Sequence, residues 1–165
     1  MAKMVKFKWD TSKVNIKGLI KDLGPEKVAQ ILYTSSEAVL VPAVRALIKK
    51  NESVDTGNLF RNIRSKATVS RGDGAVLVGS IGVDYGLNVE LGSKPHTPDF
   101  GRLLDWVRRK IKPSVNPVVV TINISRAIQK RGVAPRPYII PAFVQTQNRM
   151  VNDFVVRMKI HLRTR

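Results

Sequence analysis

The sequence predicts an α+β fold in which helices cover a small antiparallel sheet. Two extended runs, Arg61–Ser70 and Ala75–Val83, flank the segment Arg71–Gly74 (RGDG), a reversal signal typical of a hairpin. Long stretches before and after the hairpin carry apolar residues at helical spacing. We therefore expect one domain over residues 1–165, with a sheet at about 61–83 packed by a long helix from the N-terminal half and by a C-terminal helix.

The first hairpin strand has a two-residue period, which divides it into an apolar and a polar face. Its expected inner face carries Ile63, Ser65, Ala67 and Val69. Its expected outer face carries Arg64, Lys66 and Thr68.

The charge balance is the most unusual bulk property. The formal net charge is +17, from 29 basic and 12 acidic side chains, which implies a polyanion or an acidic partner surface nearby. There is no cysteine, so disulfides and thiolate metal sites are excluded. No uninterrupted apolar run reaches the roughly 18 residues of a membrane span, and the N-terminus lacks the apolar core of a signal peptide. We expect synthesis in the cytoplasm and no membrane partner.

Residues 1–22 form a basic N-terminal arm. The segment Met4–Trp9 partly alternates, and two alternatives stay open: an edge strand with its lysines outward, or a loosely held arm. Further on, a short helix is indicated by the spacing of Ile16, Leu19, Ile20 and Leu23.

A long amphipathic helix is predicted from Glu26 to about Lys50. Pro42 lies inside it. Because proline removes an amide donor and crowds the preceding turn, we expect a kink or break near Ala38–Pro42.

Residues 98–132 are expected to form a helical insertion. Before it, Tyr85–Leu91 reads as a helical turn stopped by Gly92. Thr97 and Pro98 are expected to start a helix whose apolar residues run from Phe100 to Ile111. Val118–Ile124 has strand composition, but Asn116-Pro117 before it and Gly132 after Lys130-Arg131 are helix boundary signals, so a helix is preferred.

A last helix is predicted to begin near Pro141 and to pack across the hairpin. Its expected apolar stripe consists of Ile140, Phe143, Val144, Val151, Phe154, Met158 and Leu162.

No catalytic or metal-binding constellation is visible, and no cofactor is expected. The two histidines, His96 and His161, have no paired carboxylate at ligand spacing. Asp55 is interpreted as a turn residue whose carboxylate bonds the amides ahead of Leu59. Glu90 has two readings: a surface carboxylate paired with any nearby arginine, or a buried or inter-subunit partner of Arg61 or Arg136.

Basic residues cluster in the insertion, where Gly101–Arg136 holds nine Lys/Arg and one Asp. A nucleic-acid footprint is one interpretation, but aromatic residues are sparse and no base-reading motif appears. Contacts with DNA would therefore be to phosphates and indifferent to sequence. A solvated cationic face is the alternative.

Three segments resemble a known family. Val54–Ile63 is similar to D-T-G-x-L-x-x-S-I, Tyr85–Gly92 to Y-x-x-x-V-E-x-G-T, and Pro135–Ala142 to P-R-P-F-L-x-P-A. In this order they resemble the neck and tail-completion proteins of long-tailed bacteriophages, related to the minor tail protein Z type. The resemblance spans about residues 25–160 and includes a helical insertion. Asn62, Ser93 and Tyr138 depart mildly from the pattern, where serine, threonine and phenylalanine are common.

The resemblance implies a structural virion protein and no enzyme. Members form rings at the head–tail junction, between the connector or head-completion proteins and the tail terminator or tail tube, with packaged DNA in the lumen. A six-fold ring is expected, with twelve-fold as the alternative. On this basis the scaffold motif consists of Asp55, Thr56, Gly57 and Leu59. The inter-subunit or neck-interface candidates are Arg61, Tyr85, Glu90, Gly92, Arg136, Pro137 and Tyr138. The residues expected to face the DNA channel or an acidic partner are Arg108, Arg109, Lys110, Lys112, Lys130 and Arg131.

Overall fold

The computed structural model describes residues 4–8, 16–51, 55–70, 73–80 and 85–163. Helices dominate the described chain. The strands are β1 (Met4–Lys8), β2 (Ile63–Ser70) and β3 (Asp73–Ser80). The α-helices are α1 (Ile16–Leu23), α2 (Pro25–Ser35), α3 (Val41–Lys50), α4 (Asn58–Arg61), α5 (Gly86–Leu91), α6 (Phe100–Trp106), α7 (Pro117–Arg131) and α8 (Ile139–Arg163).

The strands form one antiparallel sheet in the order β1-β3-β2. The predicted hairpin is present as β2 and β3, with Ser70 opposite Asp73. Of the predicted reversal Arg71–Gly74, the last two residues belong to β3, whereas 71–72 lie outside the described residues, as does the predicted end of the second strand at 81–83. At the N-terminus the strand alternative is the one observed, because β1 pairs along its whole length with β3 and forms an edge.

The outer edge of β2 is held by side chains of the long helix. Ile63 and Ser65 are buried, while Arg64 and Lys66 are exposed, as the alternation predicts. Glu37 Oε1 accepts hydrogen bonds from Ser65 N at 3.0 Å and Ser65 Oγ at 2.7 Å. These bonds satisfy polar groups that an edge strand would otherwise leave open.

The long helix is continuous from Pro25 to Lys50 and contains a π-helical turn at Ser36–Leu40. The amide of Val41 donates to the carbonyl of Ser36, five residues back. Of the expected kink or break near Ala38–Pro42, the break is therefore absent. The irregularity takes the form of a wider turn, which places the proline in the first turn of α3, where no amide donor is needed.

This helix is long and apolar enough to cross a membrane by length and composition, and half of its most apolar window is buried inside the protein. The sheet covers one side of it and α8 covers another. A helix enclosed in this way is what a core helix requires, so we interpret it as the core element.

The prediction that the C-terminal helix packs across the hairpin is wrong. The helix packs mainly on α2, the π-helical turn and α3, and not across the hairpin. The layers are therefore sheet, long helix and α8. The phase of its first half also differs from the prediction, because Ile140 and Val144 are exposed. Its buried positions are Ile139, Ala142, Thr146, Met150, Phe154 and Met158.

The insertion has two helical arms. The first, α6, starts at Phe100 with Asp99 as its N-cap, whose side chain accepts from Arg102 N at 3.0 Å, so the expected cap at Thr97 is wrong. It continues as a π-helical turn, Val107–Ile111. The second arm is α7, which confirms the helix preferred for 118–124.

Candidate functional site

Glu90 lies at the centre of the best-defined polar cluster. Its side chain is 2% exposed. Oε2 accepts hydrogen bonds from Tyr138 N at 2.7 Å and Ile139 N at 2.9 Å, and Oε1 accepts one from Ile140 N at 3.0 Å. These amides open α8, where a helix has unsatisfied donors and a partial positive charge. Glu90 thus caps the C-terminal helix from within the same chain.

Neither arginine proposed as the partner of Glu90 holds that role. Arg61 Nη2 donates to Thr56 O at 3.1 Å, and Arg136 Nη1 donates to Asn51 O at 3.4 Å. The reading of Glu90 as a surface carboxylate is wrong as well, because the carboxylate is buried.

Tyr138 closes the cluster on its apolar side. Its side chain is 1% exposed, and its hydroxyl donates to Gly86 O at 2.9 Å. Burial, and secondarily the charge of Glu90, raise the pKa of the Tyr138 hydroxyl well above its ordinary value of 10.0. The hydroxyl therefore stays protonated and available as a donor.

The proline-rich segment before α8 is tied to two other helices. Arg136 N donates to Val89 O at 2.8 Å, which joins the segment to α5. Asn51 Nδ2 donates to Pro137 O at 2.7 Å, which joins it to the end of α3. Together with Glu90, these bonds bring α3, α5 and the start of α8 to one point.

Two glycines allow the base of the insertion to close. Gly92 and Gly132 have φ of +74° and +73°, conformations that side chains rarely adopt. Between them, Ser93 and Val133 exchange backbone hydrogen bonds of 2.9 and 3.0 Å. A Cβ on Gly132 would meet the carbonyl oxygen of Ser93, and one on Gly92 would lie 2.5 Å from Val133 O. Close approach of the two chain segments therefore depends on both glycines.

The turn before α4 has a glycine with positive φ, as the sequence predicts, but Asp55 has a different role from the one expected. Gly57 has φ of +77°, and Leu59 is 2% exposed in the core. Asp55, however, pairs with Arg109 of the insertion, whose Nη2 lies 2.8 Å from Asp55 Oδ2. Its assignment as a cap of the following amides is thus replaced by a link between the body and the insertion.

The interface candidates divide by exposure. Glu90 and Tyr138 are enclosed by their own chain, which removes them from the surface available to a neighbour. Gly92 is partly buried at the base of the insertion. The candidates with exposed side chains are Arg61, Tyr85, Arg136 and Pro137.

All six basic candidates of the insertion are exposed: Arg108, Arg109, Lys110, Lys112, Lys130 and Arg131. Arg109 already has its acidic partner in Asp55. Arg108 lies 4.0 Å from Asp105, an exposed contact of little energetic weight. The other four form no ion pair with any residue that the structure describes.

A cleft of about 810 Å³ is lined by the end of α5, by α7 and by the segments that follow these two helices, including Gly92 and Gly132. Leu91 and Val133 line it with large apolar side chains that are 59% and 46% exposed. Ile128, Lys94 and Arg131 also line it. Within the described ranges, no group of three or more histidine or acidic side chains is arranged to hold a metal ion.

Several of these features gave no sequence signal. Backbone amides are not visible in a sequence, so the partners of Glu90 were missed. The bond from Asn51 to Pro137 and the pairing of Ser93 with Val133 both join positions far apart in the chain. The glycines after α5 and α7 did signal helix ends, but not that the two ends touch.

Comparison of the chain with models of known protein families, with curated proteins and with solved structures finds no match.

Proposed function

We propose that the chain is a structural protein of a bacteriophage neck that forms a ring joining the head connector to the tail around the DNA channel. The observation that carries the proposal is the convergence of two family-like segments. Glu90 of the first binds the amides of Tyr138, Ile139 and Ile140 in the second. Residues from two segments that resemble the family thus contact each other. This contact supports the interpretation that the chain shares the family's architecture and that the resemblance is not a chance match.

We further assign the chain to the α+β class that the hairpin and the helical periodicity of the sequence predict. The support is the three-stranded sheet, with α2 packed against β2 and β3. In this assignment the body carries the ring wall and the insertion is an appended arm.

Two apolar surfaces are available for contacts between copies. On α7, Val119 and Ile122 are 52% and 36% exposed, and on α8, Ile140 and Val144 are 44% and 60% exposed. The two stretches, 113–125 and 139–148, contain no charged residue in a chain of net charge +17. They are the places where like-charged copies approach with least repulsion. A contact between these two different surfaces would be head-to-tail, and head-to-tail contacts form a ring when the rotation from one copy to the next closes.

The proposed ring leaves the insertion cations for DNA or acidic neighbours. Lys110, Lys112 and Lys130 are exposed and carry no described ion pair. Their contacts with DNA would be to phosphates, so that the genome passes without sequence preference.

The test is to look for the chain in purified virions made from the genome that encodes it. Mass spectrometry of particles, with gold-labelled antibody located by electron microscopy, should find it at the head–tail junction. Its absence from intact particles would contradict the proposal.

The second candidate is a sequence-independent nucleic-acid-binding protein, favoured by the nine basic residues and one acid in Gly101–Arg136. A free DNA binder should shift duplex DNA at micromolar concentration, with affinity falling steeply with salt. Replacing Lys110 and Lys112 by glutamate should then abolish the shift, whereas replacing Lys49 and Lys50 in the body should weaken it less. A free binder is also absent from virions, which separates the two candidates.

A further inference from the structure

The cleft beside Gly92 and Gly132 is preformed. Its base is the hydrogen-bonded pair Ser93–Val133, and both flanking glycines have backbone conformations that fix the approach of the two segments. A site whose walls are already in place loses little conformational entropy when it binds. A volume of about 810 Å³ is in the range of binding clefts.

The cleft presents apolar surface to solvent. Leu91, which is 59% exposed, and Val133, which is 46% exposed, both line it. Ile124 and Ile128 of α7 add apolar area to the wall. Covering this surface would contribute roughly 25 cal/mol for each Å² removed from water.

The charge at the cleft is of one sign. Lys94 and Arg131 line it, and neither forms an ion pair with a described residue. No acidic residue is among its described lining. Two acids close in sequence are engaged elsewhere: Glu90 caps α8, and Asp99 caps α6. The cleft therefore complements an occupant that combines apolar groups with negative charge.

We propose that this cleft binds a short segment of a partner protein in which apolar side chains are flanked by aspartate or glutamate. A second copy of the chain fits this description poorly, because its net charge is +17 and many of its acids are paired internally. The acids paired in this way include Glu37, Asp55, Glu90, Asp99, Asp105 and Asp153. The inference goes beyond the proposed neck function and does not depend on it.

The test is a selection of random peptides displayed on a surface against the intact chain, at an ionic strength of about 0.15 M to screen distant charges. The expected result is enrichment of peptides in which leucine, isoleucine or phenylalanine stands beside acids. Enrichment of peptides without acids, or of none, overturns the proposal.

The affinity of an enriched peptide for variants of the chain, measured by fluorescence anisotropy, then tests whether the peptide binds in the cleft. Arg131→Glu should weaken the binding at least tenfold, and Leu91→Ala should weaken it severalfold. The matched control is Lys130→Glu, which makes the same charge change in the last turn of α7 but does not line the cleft. It should weaken binding much less.

Three results contradict the proposal. Equal losses for Arg131→Glu and Lys130→Glu would mean attraction by net charge alone. Self-association that Arg131→Glu abolishes would assign the cleft to a second copy. Binding of an apolar dye that survives Arg131→Glu, without peptide binding, would assign it to small molecules. All three side chains are exposed, so unchanged thermal melts verify that each variant folds.

Discussion

At the scale of single residues, Glu90 illustrates how a buried carboxylate is stabilised without a cation. Transfer of a charge out of water is unfavourable unless hydrogen bonds compensate for it. Here three amides of α8 donate to its two oxygens within 3.0 Å. The partial positive charge of the helix N-terminus adds to this stabilisation.

Removal of this carboxylate should be strongly destabilising. Glu90→Ala leaves the buried amides of Tyr138 and Ile139 and the partly buried amide of Ile140 without an acceptor. Each buried unsatisfied group costs roughly 1–3 kcal/mol, so we expect a loss of at least about 2 kcal/mol in the free energy of unfolding, measured by urea denaturation, and a smaller loss for Glu90→Gln. The control is Glu26→Ala, an exposed acid in the first turn of α2. A similar small effect for both alanine variants would show that the cluster is not structural.

Tyr138 predicts a pH dependence with a definite sign. Its pKa is raised by folding, so its contribution is complete below 10.0, the ordinary value, and is lost as the pH rises toward the folded value. Tyr138→Phe should cost about 1 kcal/mol at pH 7 through the lost bond to Gly86. Above pH 10 the difference between variant and wild type should shrink.

Urea denaturation across this pH range measures the difference for Tyr138→Phe. The same substitution at Tyr33, which is 43% exposed, serves as the control and should leave no comparable trend. A pH-independent difference for Tyr138→Phe would refute the assigned burial of its hydroxyl.

At this scale the sequence indicated which residue mattered but not what it contacts. Glu90 stands out as an acid in a basic chain, and arginines were its natural partners by charge. Its true partners are main-chain amides, whose position depends on where α8 starts. That start lies at Ile139, two residues before the predicted one at Pro141.

At the scale of elements, the residues that begin and end a helix could be predicted from the sequence, but the face of the helix that is buried could not. The helix α7 begins after Asn116 and ends before Gly132, as expected. The side chain of Asn116 accepts a hydrogen bond from Val118 N at 2.9 Å. In α8 the buried side carries Ala142 and Thr146, while the larger Val144 faces solvent. In the first half of α8, a stripe chosen by hydrophobicity therefore includes the exposed Ile140 and Val144, whereas Phe154 and Met158 in the second half are buried as predicted. Only contact with the long helix decides which positions are covered.

Because of the contact at the base of the insertion, substitution of Gly132 should destabilise the protein more than substitution of another glycine with positive φ. Gly132→Ala and Gly24→Ala both place a side chain on a backbone with positive φ and extended ψ, which costs roughly 1–3 kcal/mol. Gly24, with φ of +80°, has nothing within 4 Å of an added Cβ, whereas Gly132 would meet Ser93 O. Gly132→Ala should thus cost more by at least about 1 kcal/mol in thermal or urea unfolding. Equal costs would mean that the two segments are not in contact.

At the scale of the whole molecule, one chain presents two dissimilar apolar faces. The face on α7 includes Val119 and the face on α8 includes Val144. In a head-to-tail ring each copy uses both faces, one toward each neighbour. A symmetric dimer would instead pair a face with itself.

A glutamate introduced on either apolar face should prevent assembly, and the pattern of its effects should distinguish a head-to-tail ring from a symmetric dimer. Val119→Glu and Val144→Glu are each expected to be monomeric by light scattering, because each removes one partner of every contact. Mixed in equal amounts, they should form heterodimers and no ring, since only one intact pair of faces remains. Thr68→Glu on the exposed face of β2 is the control and should assemble normally. Persistence of a self-dimer in either variant would exclude the head-to-tail contact.

The most direct test of the proposed neck function is cryo-electron microscopy of virions produced from the genome that encodes the chain. We predict a ring of copies at the head–tail junction, with the Glu90–Tyr138 cluster inside each subunit and the α7 and α8 faces between subunits. Density for the chain elsewhere in the particle, or intact tailed particles that lack it, would contradict the neck function.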